Sequence, residues 1–83
     1  MIELWILPSG TRFWNLDYMY HRDNGPAIQW ADGGCEWMVK GSYHKSDGPA
    51  VEYVSGVRQW WWYGQKVTEY EHMILSHRET LND

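Results

Sequence analysis

The sequence predicts a mainly β fold, an antiparallel meander of three imperfect hairpin repeats of about 23 residues with one C-terminal helix. Three observations carry that prediction. His44-Lys45-Ser46-Asp47-Gly48-Pro49-Ala50-Val51-Glu52-Tyr53 lies over His21-Arg22-Asp23-Asn24-Gly25-Pro26-Ala27-Ile28-Gln29-Trp30, and the match runs on through Gly33/Gly56, Trp37/Trp60 and Gly41/Gly64. Gly10 and Trp14 extend the same columns toward the N-terminus. Apolar residues then change from strand-like alternation to helical spacing after Gly64. A unit this short cannot bury its own apolar face, so copies must stack to make a core.

Residues 1–83 read as a single domain, with repeats over 2–20, 21–43 and 44–66. Residues 2–7 form an apolar strand that ends at the turn signal Pro8-Ser9-Gly10, and 11–16 return. The connection Asp17-Tyr18-Met19-Tyr20 has no glycine where later copies carry Lys40-Gly41, which predicts a different turn geometry there. In the second copy Gly25 supplies backbone freedom and Pro26 fixes φ, so a strand should start just after them, over 27–31. Asp32-Gly33 is a hairpin signal and 35–39 return. The third copy repeats this at 50–54, Ser55-Gly56 and 58–63. Thr68-Glu69-Tyr70-Glu71 is a capping box. Tyr70, Met73, Ile74 and His77 fall at i, i+3, i+4 and i+7, so a helix over 69–78 should lay that stripe on the last hairpin, with 79–83 fraying.

Strand side chains alternate between faces. Aligning the copies collects Trp5/Ile28/Val51, Leu7/Trp30/Tyr53, Trp14/Trp37/Trp60 and Leu16/Val39/Trp62 on one face, all apolar or aromatic and expected to be the core. The other face should hold Phe13/Glu36/Gln59, Asn15/Met38/Trp61 and Asp17/Lys40/Tyr63, polar at first and aromatic in the last copy.

The totals limit the function classes. In 83 residues, seven Trp, six Tyr and one Phe supply the area that a larger core would. A single cysteine excludes an intramolecular disulfide and fits a reducing cytoplasm. A formal net charge of −4 without a Lys/Arg cluster argues against a nucleic-acid partner. The apolar opening at 2–7 is too short for a membrane span and lacks the marks of a signal peptide.

The His-Arg-x-x-Gly-Pro-Ala–strand–Gly–x3–Trp–x3–Gly pattern resembles the "HRxDGPA" repeats of small proteins from tailed bacteriophages. It is also similar to MORN and YwqK-type antitoxin repeats. The resemblance covers about residues 10–66. It implies an antiparallel hairpin array, a phage origin with residence in the host cytoplasm, and no catalytic residues to carry over.

Candidate sites are few. His21 and His44, with Asp23 and Asp47, offer metal-ligating types, but they lie a whole repeat apart without supporting Cys or His-x-His spacing, so no metal is expected. The alternative is an imidazole packed on Trp beside an Asp that bonds turn amides. No nucleophile elbow, phosphate loop or committed carboxylate pair points to an enzyme, and no cofactor is expected. Arg22 and Lys45 are placed to stack on Trp.

Trp60-Trp61-Trp62-Tyr63 is the sharpest feature. Alternation sends Trp61 and Tyr63 away from the core columns, with Met38 beside Trp61. Such residues are enriched at interface hot spots. Either the helix covers them as a second core or they meet a partner. The expectation is a non-enzymatic module binding a protein partner (a host enzyme or defence component, inhibited by it or sensing it) through Trp61, Tyr63, Met38, Tyr18 and Tyr20. The alternatives are a small ligand in an aromatic groove between sheet and helix, and self-association as a homo-oligomer through the strand at residues 2–7.

Overall fold

The computed structural model describes residues 1–81, with side chains through Glu79. Strands β1 (Ile2–Ile6), β2 (Arg12–Leu16), β3 (Met19–Tyr20), β4 (Ile28–Gln29), β5 (Cys35–Glu36), β6 (Met38–Val39), β7 (Ser42–Tyr43), β8 (Val51–Glu52), β9 (Arg58–Trp62) and β10 (Gln65–Val67) precede helix α1 (Glu69–Leu81). All pairings are antiparallel, in the order β1-β2-β4-β5-β8-β9-β10. β3 pairs with the second half of β2, and β6 with β7 as a separate ribbon. This is the expected meander with one terminal helix. The strands at 28–29, 35–36, 38–39 and 51–52 are shorter than the predicted 27–31, 35–39 and 50–54, with a break at Trp37.

Two turn types alternate. At residues 7–11 the Leu7 amide donates to the Thr11 carbonyl and the Gly10 amide to the Leu7 carbonyl. The same pair of bonds recurs at 30–34 and 53–57. In each, a glycine with positive φ closes the loop: Gly10 (+97°), Gly33 (+104°) and Gly56 (+94°). This is a type I turn followed by a one-residue bulge. The other connections hold two residues, Asp17-Tyr18, Lys40-Gly41 and Tyr63-Gly64, all with positive φ as a type I′ turn requires. The absence of glycine does not change the first of these. Leu16 pairs with Met19, so two residues must close the hairpin, and Tyr18 is held at φ +67°.

The bulge also corrects the predicted faces. Trp5 pairs with Phe13, and a continuous row then runs Phe13–Ile28–Glu36–Val51–Gln59 across the sheet. Directly paired residues share a face. The extra residue in each five-residue loop therefore puts Phe13, Glu36 and Gln59 with Ile28 and Val51, and Trp14, Trp37 and Trp60 on the opposite side. One residue in the turn flips every side chain after it. Ala27, Ile28 and Met38 form the buried cluster, flanked by Phe13 and Tyr43, while Trp30 and Tyr53, expected in the core, are exposed.

Each residue of the shared motif has a structural task. The His21 amide donates to the Trp14 carbonyl, and the His44 amide to that of Trp37. The Trp14 amide donates to the carbonyl of Ala27, and the buried Ala50 serves Trp37 in the same way. Arg22 lies over the Trp14 ring at 3.9 Å and Lys45 over Trp37 at 4.3 Å. Gly25 makes room for that cation rather than supplying an unusual φ, since a Cβ there would meet the Arg22 guanidinium at 2.6 Å.

α1 begins with the predicted box: the Glu71 amide donates to Thr68 Oγ1 (3.1 Å) and the Thr68 amide to Glu71 Oε1 (2.8 Å). The Thr68 amide, and then its hydroxyl, hold the Glu71 carboxyl below its ordinary pKa. The docked side differs from the predicted stripe. His72 is buried and donates from Nε2 to the Lys45 carbonyl, and Ser76 Oγ donates to that of Ser46, while Tyr70, Met73 and Ile74 are exposed. Hydrogen bonds to the 45–46 loop set the phase of the helix, and the apolar spacing does not. The helix continues through Leu81, past the predicted end at 78, and residues 82–83 of the predicted fraying lie outside the described residues.

A side chain in the left-handed region costs about 1–2 kcal/mol, and glycine does not bear that cost. Tyr18→Gly should raise the midpoint of thermal unfolding by several degrees, because about 1 kcal/mol shifts a domain of this size by roughly 4–8 °C. Gly33→Ala should lower it by a similar amount, although a Cβ there meets nothing within 4 Å. Calorimetry of both variants beside the parent chain checks the turn assignment.

Candidate functional site

The two faces of the sheet are finished differently. On one, Trp14 and Trp37 lie under Arg22 and Lys45, and Trp62 meets the His72 ring of α1 edge-on at 5.4 Å. The other carries the row through Ile28 and is bounded by aromatic rings. Phe13 lies 5.7 Å from Tyr20 and 6.2 Å, edge-on, from Trp30. At the far end Tyr43 and Trp61 are 5.0 Å apart. Trp30 and Tyr53 are exposed along this face.

A buried carboxylate holds its centre. Glu36 accepts from Trp30 Nε1 at 2.5 Å and from the Tyr43 hydroxyl at 2.6 Å, so one side chain joins the two aromatic groups. Both bonds converge on the one carboxyl group. Burial, and then the Glu36 carboxylate, raise the Tyr43 pKa above the ordinary tyrosine value. The alternation argument placed Glu36 on a polar outer face, so it gave no sign of this role. A Trp six residues before and a Tyr seven residues after a lone Glu was the signal available in the sequence.

Over the first hairpin the face forms an open groove of about 640 Å³, with Phe13 and Asn15 as floor and Trp5, Leu7, Tyr18 and Tyr20 as walls. Trp5 is 56% exposed and Tyr20 40%, and Tyr18 is fully exposed at its strained turn. Strain at an exposed ring that packs on nothing is the kind of backbone cost found at functional positions.

The five residues singled out from the sequence do not form one patch. Tyr18 and Tyr20 line the groove. Trp61 is half-buried on the same face, against Tyr43, with its indole N–H donated to Gln59 at 3.1 Å. Met38 is 8% exposed and belongs to the core. Tyr63 sits in a type I′ turn and stacks on His44 at 3.7 Å, away from Trp61, because positive φ ends the strand alternation. The helix lies on the Trp62 side and does not roof Trp61. Phe13 was missed because a one-residue register error had placed it on the outer face. Trp5, Leu7 and Trp30 lie on the face expected for them and were missed because that face, expected to be buried core, leaves them exposed.

The histidines are staples. His21 Nδ1 accepts from the Lys40 amide at 2.9 Å, and His44 Nδ1 from the Tyr63 amide at 3.1 Å, one repeat further on. An accepting Nδ1 places the proton on Nε2, which donates to Asp23 (2.9 Å) in His21 and faces Ser46 (3.4 Å) in His44. A lone pair committed to a backbone amide is not open to a metal. Among the described residues no group of three or more His, Cys, Asp or Glu is placed to hold one.

Comparison with family models, curated proteins and solved structures gives no match. The site must be read from its own geometry. No helix of the described residues is long and apolar enough to cross a membrane.

Burial lowers the His44 pKa, and the neighbouring His72 adds to that against an opposing effect of Glu79. The unfolded chain therefore takes up this proton first as pH falls. The stability from neutral His44 should be complete above about 6.5 and be lost as pH falls through the lower folded value. Unfolding midpoints measured between pH 7.5 and 5 should decline with acid. The His44 ring resonances should titrate below pH 6.5, and a midpoint at or above that value contradicts the assignment.

Proposed function

We propose that this chain is a non-enzymatic binding module whose open aromatic face takes a protein partner. The observation that carries the reading is the contrast between the faces. Cations cover Trp14 and Trp37 on one side and a helix ring meets Trp62 there, while Trp5, Tyr20, Trp30 and Tyr53 stay exposed on the other around a core pinned by Glu36. Exposed Trp and Tyr grouped on one surface are the residue types of interface anchors. The motif residues support a non-catalytic reading, since each has a structural partner. Together with the resemblance to phage repeats, this favours a phage accessory protein acting in the host cytoplasm on a host enzyme or a defence component, as inhibitor or as sensed trigger. Tyr18, Tyr20 and Trp61 remain the proposed contacts from the first reading, joined by Trp5 and Trp30.

Affinity capture from bacterial lysate tests this, comparing the parent chain with Trp5→Ser/Tyr20→Ser. Both replaced side chains are exposed, so the variant should keep its fold by circular dichroism. Loss of a dominant captured protein, with retention by the opposite-face variant Lys45→Gln, is the expected result. Retention by the double variant removes the proposal.

A second reading has its own observation. β1 pairs only with β2, and its outer edge is open. The Trp14 amide and carbonyl both bond away from β1, to Ala27 and His21. Its partner Leu4 must then present its own amide and carbonyl outward, because opposed residues in an antiparallel ladder turn these groups the same or the opposite way together. A five-residue edge strand, apolar but for Glu3, can pair with a second copy. Leu4→Pro deletes that outward amide without removing a β1–β2 bond. If the chain self-associates through this edge, light scattering should show a dimer that Leu4→Pro converts to monomer with the fold unchanged.

A further inference from the structure

The third copy departs from the first two at a specific chemical feature. Arg22 covers the Trp14 ring and Lys45 the Trp37 ring. The residue at the same place after Trp60 is Thr68, and among the described residues no cation or aromatic ring lies over Trp60. A groove of about 860 Å³ opens there instead, between the 46–49 turn and α1.

Its lining includes Trp60, Tyr70, Glu69 and Asp47, together with Arg58, His72 and His77. Glu69 makes no ion pair among the described residues, and Asp47 meets Lys45 only at 4.0 Å with its side chain mostly exposed. Arg58 is directed to Glu52, at 3.8 Å. The groove therefore combines an indole, a phenol and two carboxylates with one arginine, whose guanidinium is turned to Glu52. Aromatic faces with nearby carboxylates attract organic cations.

We propose that the groove over Trp60 seats an organic cation, a guanidinium or alkylammonium group that occupies the place Arg22 and Lys45 fill over the other two tryptophans. This site is on the face opposite the proposed partner surface and does not depend on that reading. The cation can come from a free amine or from an Arg or Lys side chain of a polypeptide.

The test is an NMR titration that follows the Trp60 indole N–H, assigned through Trp60→Phe or, if that variant does not fold, from the sequential backbone assignment. Probes are N-acetylarginine amide, tetramethylammonium, agmatine, a Gly-Arg-Gly peptide amide and the uncharged isostere N-acetylcitrulline amide. The Trp60 signal should move saturably with the cations in the roughly millimolar range, and at least about tenfold more weakly with the citrulline compound. Glu69→Gln, at an exposed helix position, should weaken the cations several-fold. Tighter binding of the peptide than of agmatine assigns the seat to a polypeptide side chain, and equal binding assigns it to a free cation. An unmoved Trp60 signal, or equal response to the citrulline compound, overturns the proposal.

Discussion

A histidine lone pair held against the amide of the next type I′ turn ties one hairpin to its neighbour, and the remaining contacts depend on that tie. His21 reaches Lys40, and His44 reaches Tyr63. The amide of each turn's glycine also bonds back one hairpin, from Gly41 to the Tyr20 carbonyl and from Gly64 to that of Tyr43. The molecule measures 42 × 32 × 17 Å, so the sheet has little thickness in which to bury apolar volume. A buried imidazole supplies what such a slab lacks, a rigid acceptor deep enough to fix the next turn without a second sheet on top. At His44 burial favours the neutral ring that this arrangement requires, by disfavouring the charged form.

With the ring fixed, the rest of the motif follows from sterics. The histidine amide anchors the loop start to Trp14 or Trp37, and the alanine carbonyl anchors its end to the amide of the same tryptophan. The cation next to the histidine then has only that indole beneath it. A side chain at the loop glycine would occupy the cation's place, as the 2.6 Å approach at Gly25 and the 3.3 Å approach at Gly48 to Lys45 Nζ show. Both glycines were legible as special positions, but backbone freedom was the wrong reason. Composition and spacing cannot separate a glycine needed for φ from one needed for space.

The same limit explains which parts of the site could be read from the sequence. Strand order and the helix cap were legible, because local bonds decide them, but the Asp17-Tyr18 turn was not, since it keeps the geometry of the later copies without their glycine. The faces were not, because parity depends on whether a hairpin loop carries a bulge. Pro8-Ser9-Gly10, Asp32-Gly33 and Ser55-Gly56 are compatible with either count. That single residue moved Glu36 from an expected polar surface to the middle of the core and brought Phe13 beside Ile28, while Trp30 kept its expected face and is exposed there. Tyr18 and Tyr20 were found because the irregular first connection marked them. Tyr63 was misplaced because alternation was carried one residue into a turn.

The third copy shows how such an array stops. Val67 replaces the histidine, so no ring reaches forward to fix another turn, and the capping box at Thr68 starts a helix at that point. The helix then finds its place by using the previous copy's loop as acceptor, through His72 to Lys45 and Ser76 to Ser46. Docking by hydrogen bonds to backbone carbonyls leaves the apolar side of α1 free and holds the helix beside Trp60 instead of over it. Ending the repeat and opening a groove at its last tryptophan therefore go together, since Val67 removes the staple and the adjacent Thr68 removes the cation that would have filled the seat.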